Sequence, residues 1–255
     1  MPKLAANLST LFPQLDFLER FAAAAQAGFR YVEYQFPYQW QAGALAEKAR
    51  QAGVQVVLHN LPAGDAEKGE RGIACLPGRE GEFREGVERA IGYASAVGCP
   101  RLNCLAGLAP QDQRHLDVLV ANVRYAARKL AAAGMQLVIE PINTRSVPGF
   151  FLTGSRQALD VLDAAGEGNV FLQYDFFHMQ IMEGDLASTL EKLLPRIGHI
   201  QLADVPGRHE PGSGEINFDF LLRHLDALGY SGWVGCEYNP QADTLEGLKW
   251  AKPYL

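Results

Sequence analysis

Long apolar runs are missing from this chain. No stretch approaches the ~20 consecutive apolar residues that a helix needs to cross a bilayer, and the opening MPKLAANLST has no apolar core of a secretion signal. The expectation is a soluble, cytoplasmic protein with no membrane partner. Cysteine is scarce: Cys75, Cys99, Cys104 and Cys236 form no C-x-x-C pair and none stands beside a histidine at zinc-finger spacing. They read as buried, reduced thiols rather than disulfides or thiolate ligands. Basic runs are also absent. Lys and Arg number 23 against 29 Asp and Glu, for a net charge of −6 and a pI near 5.5. That balance argues against nucleic acid or an anionic membrane as partner. No Pro/Gly/Ser linker or low-complexity segment divides the chain, so it reads as one domain.

What is present is a rhythm. The 255 residues are 48% hydrophobic and 20% charged, enough apolar material for a large core. Apolar strand-like runs at 4–8, 31–36, 54–60, 101–107, 135–141, 169–175, 197–204 and 232–238 alternate with helical patterns at 14–27, 44–52, 80–97, 111–133, 155–165, 186–194, 218–228 and 244–251. Gly28, Gly53, Gly98, Gly134 and Gly229 stand where helices stop. Eight strict β–α units imply parallel strands with right-handed crossovers. The first turn, NLSTLFP, lacks the glycines of an open nucleotide-binding sheet. A single closed (β/α)₈ TIM barrel of the α/β class is therefore the predicted fold, and ~250 residues is its usual length.

In such barrels chemistry sits at the C-terminal strand ends. Here the last four strands end on Glu140, Asp175, Gln201 and Glu237, each after a mostly apolar run. One acid just past a strand is as often a solvated surface residue as a functional one. Three carboxylates converging on one mouth would repel strongly in a low dielectric, and a divalent cation removes that repulsion. Oxygen donors of this kind suit Mg²⁺, or Mn²⁺, better than zinc. His59 ends the third strand and His178 follows Asp175 by three residues, so both are expected at the mouth; His199 shares the strand face of Gln201 one layer below. His115 and His224 fall in helical patterns and read as packing residues. Two glycine-bearing loops supply the cations, one with Lys68, Arg71 and Arg79, the other with Arg208 beside His209 and Glu210. In an otherwise acidic chain, such loop arginines favour a bound anion. The expected substrate contacts are His59, Arg71, His178, Arg208 and Glu210. Tyr38 and Trp40 are placed either to cover the site, to pack in the core or to join a homo-oligomer interface.

Several of these segments are distinctive in order and spacing: AANLS at Ala5, HNLPAGDAEKGERGIACLPGRE at His59, IEPIN at Ile139, YDFFHMQIMEG at Tyr174, GRHEPGSGEINF at Gly207 and GCEYNP at Gly235. Together they span essentially the whole chain and resemble the hydroxypyruvate isomerases, within the wider set of xylose-isomerase-like barrels. The resemblance implies interconversion of hydroxypyruvate and tartronate semialdehyde, a small keto acid chemistry. It implies Glu140 and Glu237 as the acid/base pair, and Glu140, Asp175, Gln201 and Glu237 as metal ligands. Close relatives of that group act on 2-oxo-tetronate, one carbon longer. Rival readings are a keto-sugar 3-epimerase on the same barrel, a metal-dependent endonuclease and a non-enzymatic binding module. The loop cations weigh against the neutral sugar, the net charge and only six histidines against the endonuclease, and the clustered acids against a binding module.

Overall fold

The computed structural model describes residues 1–255. Eight strands close into one parallel barrel in chain order: β1 (Lys3–Asn7), β2 (Tyr31–Glu33), β3 (Gln55–Asn60), β4 (Arg101–Cys104), β5 (Gln136–Ile139), β6 (Val170–Asp175), β7 (Ile197–Leu202) and β8 (Trp233–Cys236). β8 closes onto β1, with Leu4 opposite Val234 and Ala6 opposite Cys236. Around it lie α1 (Arg20–Gln26), α2 (Ala42–Ala52), α3 (Glu80–Val97), α4 (Gln113–Ala132), α5 (Ser155–Ala165), α6 (Phe176–Met182), α7 (Leu186–Leu193), α8 (Phe218–Ala227) and the short α9 (Thr244–Gly247). No helix is long and apolar enough to cross a membrane.

The helices bury one stripe each against the strands. On α4, Leu119, Val123, Ala126, Ala127 and Leu130 recur at three- and four-residue spacing and are all buried. Asp112 caps that helix by accepting the His115 N–H, while α2, α3 and α5 each end on a left-handed glycine, Gly53, Gly98 and Gly166. A fully buried Phe21 or Leu102 contributes about 2–3 kcal/mol of burial energy. All four cysteines are buried and free.

Three elements differ from the sequence expectation. The second strand stops at Glu33, because its pairing with β3 shifts register between Val32 and Glu33; Phe36 lies beyond the sheet and is exposed. The first helical pattern splits into a 3₁₀ turn over Phe17–Glu19 and α1. An additional helix, α6, starts directly at the end of β6. Asp175 is its N-cap, accepting the Phe177 N–H at 2.8 Å, so one residue both ends a strand and starts a helix.

Candidate active site

The floor of the site is a buried polar layer inside the barrel. Glu33 is fully buried and accepts from Asn7 Nδ2 at 2.9 Å, Gln201 Nε2 at 2.7 Å and His199 Nε2 at 2.6 Å. Gln201 in turn accepts from Gln173 Nε2 at 2.6 Å. Burial lowers the His199 pKa, and the Glu33 carboxylate works against that shift. Only a glycine fits on β8 beside Glu33: a Cβ on Gly235 would fall 2.2 Å from Glu33 Oε1. Asn7 spans two levels, because its amide nitrogen also donates to Glu237 Oε1 at 3.1 Å.

Above this layer three buried carboxyl groups meet. Glu237 accepts from Gln35 Nε2 at 2.9 Å and from Arg208 at 2.7 Å, besides Asn7. Glu140 accepts one hydrogen bond, from Asn103 Nδ2 at 2.9 Å. Asp175 spends Oδ1 on the α6 cap, which leaves Oδ2 buried with no hydrogen-bond partner. His178 Nε2 lies 3.6 Å from that oxygen and 3.9 Å from Glu140 Oε1. Burial pushes Glu140 well above the usual carboxylate range, reinforced by Glu237 and Asp175. Asp175 is pushed up to about 7 by burial, opposed by Arg208. Glu237 is raised by burial and drawn back by Arg208. Burial and the Arg208 charge hold His178 neutral, far below the usual imidazole range.

The donor set fits a hard divalent cation. Glu140 and Asp175 offer carboxylate oxygens within 4.8 Å of one another, Asp175 Oδ2 is an orphan buried acceptor, and the carboxyl groups raise one another's proton affinity. A cation between them would supply the missing partner and cancel the repulsion.

Over the carboxylates lies a cavity of ≈ 650 Å³, lined among others by Gln35, Tyr38, Asn60, Arg71, Arg208 and Glu237. The loop between β7 and α8 delivers Arg208. Asp204 anchors that loop by accepting the backbone N–H groups of Val205, Gly212, Gly214 and Ile216 at 2.9–3.0 Å. The anchored loop holds Arg208 at φ 56°, a left-handed backbone that a side chain rarely adopts. Burial works against the Arg208 charge, but Glu237, Asp175 and Glu140 outweigh it and raise its pKa.

The loop after β3 lies over the opposite side. Gly72, at φ 113°, comes so close to β4 that a Cβ there would sit 2.4 Å from the Leu105 carbonyl oxygen. Of the cations on this loop, Lys68 pairs with Asp65 at 3.0 Å and Arg79 with Glu70 at 2.8 Å. Arg71 donates only to the Glu70 carbonyl oxygen and has no acid partner. It lines the cavity with its charge available.

The structure thus brings Glu140, Glu237, His178, Arg71 and Arg208 to one cavity, with Asp175 buried beside them and Gln201 in the layer below. Two residues read from sequence as substrate contacts lie elsewhere. His59 points outward into the helix layer, fully buried and stacked on Tyr34 with ring centroids 5.9 Å apart. Its neighbour Asn60 takes the inward position, because successive strand residues face opposite sides. Glu210 instead ties its loop to the C-terminal segment, accepting the Gln241 N–H at 3.1 Å. Tyr38 lines the cavity and donates to the Asn60 carbonyl oxygen at 2.5 Å, whereas Trp40 stacks on Phe17 at 4.0 Å. Sequence reading passed over Glu33, Gln35, Asn143 and Asp204. The signal for Glu33 was an acid between the apolar neighbours of VEY in a strand.

The family model described as xylose isomerase-like TIM barrel matches residues 21–254. The chain belongs to this family. It is 51% identical to the hydroxypyruvate isomerase of Escherichia coli (strain K12), over 100% of both chains. It is 46% identical to the 2-oxo-tetronate isomerase of Cupriavidus necator, over 100% of this chain and 99% of that one. A crystal structure from Brucella melitensis, described as an AP endonuclease of family 2, superposes with a TM-score of 0.98 at 45% identity, covering 100% and 99% of the two chains. This xylose isomerase-like barrel accordingly has full-length relatives that carry isomerase names.

Proposed function

We propose that the chain is a hydroxypyruvate isomerase that interconverts hydroxypyruvate and 2-hydroxy-3-oxopropanoate (tartronate semialdehyde). The observation that carries the reading is the pair of buried glutamates, Glu140 and Glu237, facing one cavity from β5 and β8 in unlike surroundings. Burial raises the Glu237 pKa, while Arg208 and Gln35 draw it back and Asn7 also donates to the carboxylate. Glu140 has one amide donor and the higher proton affinity. Two carboxyl groups separated in this way can take and return a proton at neutral pH.

The reaction shifts a carbonyl by one carbon. A proton leaves the CH₂OH carbon, the electron pair forms an enediolate, and a proton returns to the neighbouring carbon. The hydroxyl proton moves to the former carbonyl oxygen, so no atom is gained or lost. Glu140 and Glu237 handle the carbon-bound proton. Arg71, with no acid partner, receives the substrate carboxylate, and the loops after β3 and β7 limit water. Glu140, Asp175 and Glu237 would hold Mg²⁺ or Mn²⁺, with Gln201 Oε1 beneath them. Such an ion, when bound, would act as a Lewis acid for the enediolate charge. Full-length identity to a named hydroxypyruvate isomerase supports the choice of substrate.

A second reading has its own support. A cavity of ≈ 650 Å³ has room for one more carbon, and a 46% identical relative is named a 2-oxo-tetronate isomerase. Purified protein assayed on both acids, before and after chelation and Mg²⁺ or Mn²⁺ re-addition, separates the two. Turnover of the longer acid alone overturns the substrate. Glu140→Gln and Glu237→Gln should each lower kcat by about 10³-fold or more while the fold persists; full activity in either removes that residue from the chemistry.

A further inference from the structure

Next to the glutamates, His178 is a buried imidazole whose two nitrogens face unlike neighbours. Nε2 looks into the cavity, towards Asp175 Oδ2 at 3.6 Å and Glu140 Oε1 at 3.9 Å. Both distances exceed a hydrogen bond. Nδ1 looks away, towards Asn143, the last residue of the IEPIN segment. There the side-chain nitrogen Nδ2 comes to 2.6 Å and the backbone nitrogen to 3.3 Å.

The direction of the Asn143 amide is fixed independently. Its Oδ1 accepts the backbone N–H groups of Arg145 at 3.1 Å and Ser146 at 2.7 Å. An NH₂ group in that place would meet two donors, so the oxygen must face them and the nitrogen must face His178. Two N–H groups therefore converge on Nδ1. A proton on Nδ1 would point at both, which excludes the Nδ1–H tautomer and the doubly protonated ring alike. One proton remains for the ring, and it sits on Nε2.

We infer that Asn143 is a positioning residue that locks His178 as the neutral Nε2–H tautomer, making it a hydrogen-bond donor into the cavity and not a metal ligand. A nitrogen that carries a proton has no lone pair for a cation, so an ion in this site is held by the carboxylates while His178 remains free. The Nε2–H is unspent in the resting protein. It is placed to donate to the substrate oxygen on which enediolate charge develops, where a fixed donor is worth most. The kinetic part of this inference rests on the isomerase reading; the tautomer does not.

The test separates the two. ¹⁵N NMR of the substrate-free protein, with His178 signals assigned by their loss in His178→Gln, reports which ring nitrogen is protonated. The expected result is a protonated Nε2 and a bare Nδ1, unchanged on addition of Mg²⁺. A protonated Nδ1, or a bare Nε2 that shifts with Mg²⁺, overturns the inference whatever the protein catalyses. Asn143→Asp replaces one donor by an acceptor at constant size. It should move a proton onto Nδ1 and lower kcat by about 100-fold, the scale of losing one charge-stabilising donor, with a KM change under about threefold. In a His178→Gln background, where no tautomer exists, the same substitution should cost less than about twofold. An equal loss in both backgrounds would assign Asn143 a structural role and overturn the proposal.

Discussion

His59 offers a sharp test of the barrel's packing, because burial lowers its pKa from 6.5 to about 4. The ring lies between β3 and the helices, stacked on Tyr34, and its Nδ1 reaches the Asn60 carbonyl oxygen at 3.2 Å. With Nε2 buried and unpartnered, the folded protein keeps the ring neutral. The unfolded chain binds a proton near pH 6.5 and the folded one only near pH 4. Between those values the unfolded state holds more protons, so stability falls as pH falls. The contribution is fully present above pH 6.5. About 3 kcal/mol of it is lost at pH 4, from 2.5 pKa units at 1.36 kcal/mol each less the half-protonation reached there. His59→Phe keeps the stack and removes the titration, and the Asn60 carbonyl oxygen keeps its bond from Tyr38. Urea unfolding of both proteins from pH 8 to pH 4 isolates the residue, since His178 and His199 contribute equally to each. The stability of the variant relative to wild type should rise by about 3 kcal/mol as the pH drops. A difference that stays flat across that window would refute the reasoning.

Two further outcomes follow from the loops. Arg71→Ala removes a cavity cation that lacks an acid partner and should raise KM for hydroxypyruvate about tenfold with kcat little changed; steady-state kinetics giving an unchanged KM would move the carboxylate contact elsewhere. Asp204→Ala strips the acceptor from four backbone N–H groups and should cost about 3 kcal/mol in urea unfolding. It also frees Arg208 from its left-handed backbone, so kcat/KM should drop with it, and an unaltered urea midpoint would show the loop is held by other contacts.

The fold was legible because hydrophobic period and glycine stops repeat eight times, and the strand-end acids were legible because each closes an apolar run. What escaped depends on geometry that no run of residues encodes. Glu33 was hidden by a register shift that ends β2 three residues earlier than its apolar pattern. His59 was assigned to the mouth by its place at a strand end, yet the alternation of the pleat sends it outward and turns Asn60 inward. Asn143 and Gln35 act through amide contacts to His178 and Glu237, far away in sequence, and amides carry no local signature of burial. Helix α6 was missed because its cap is Asp175, which the sequence presents first as the end of a strand.

Gln201 carries a consequence of another kind, for how this chain can drift over generations. Its amide donates downward to Glu33 and accepts from Gln173, so its two ends are not interchangeable. A one-base step from glutamine to glutamate would set two buried carboxylates face to face. The position is therefore closed to acids for as long as Glu33 stays, and Glu33 stays only while β8 keeps a glycine at Gly235. Three residues on three strands are thus bound into one inheritable unit, and the site above them can be altered only by lineages that leave that unit whole.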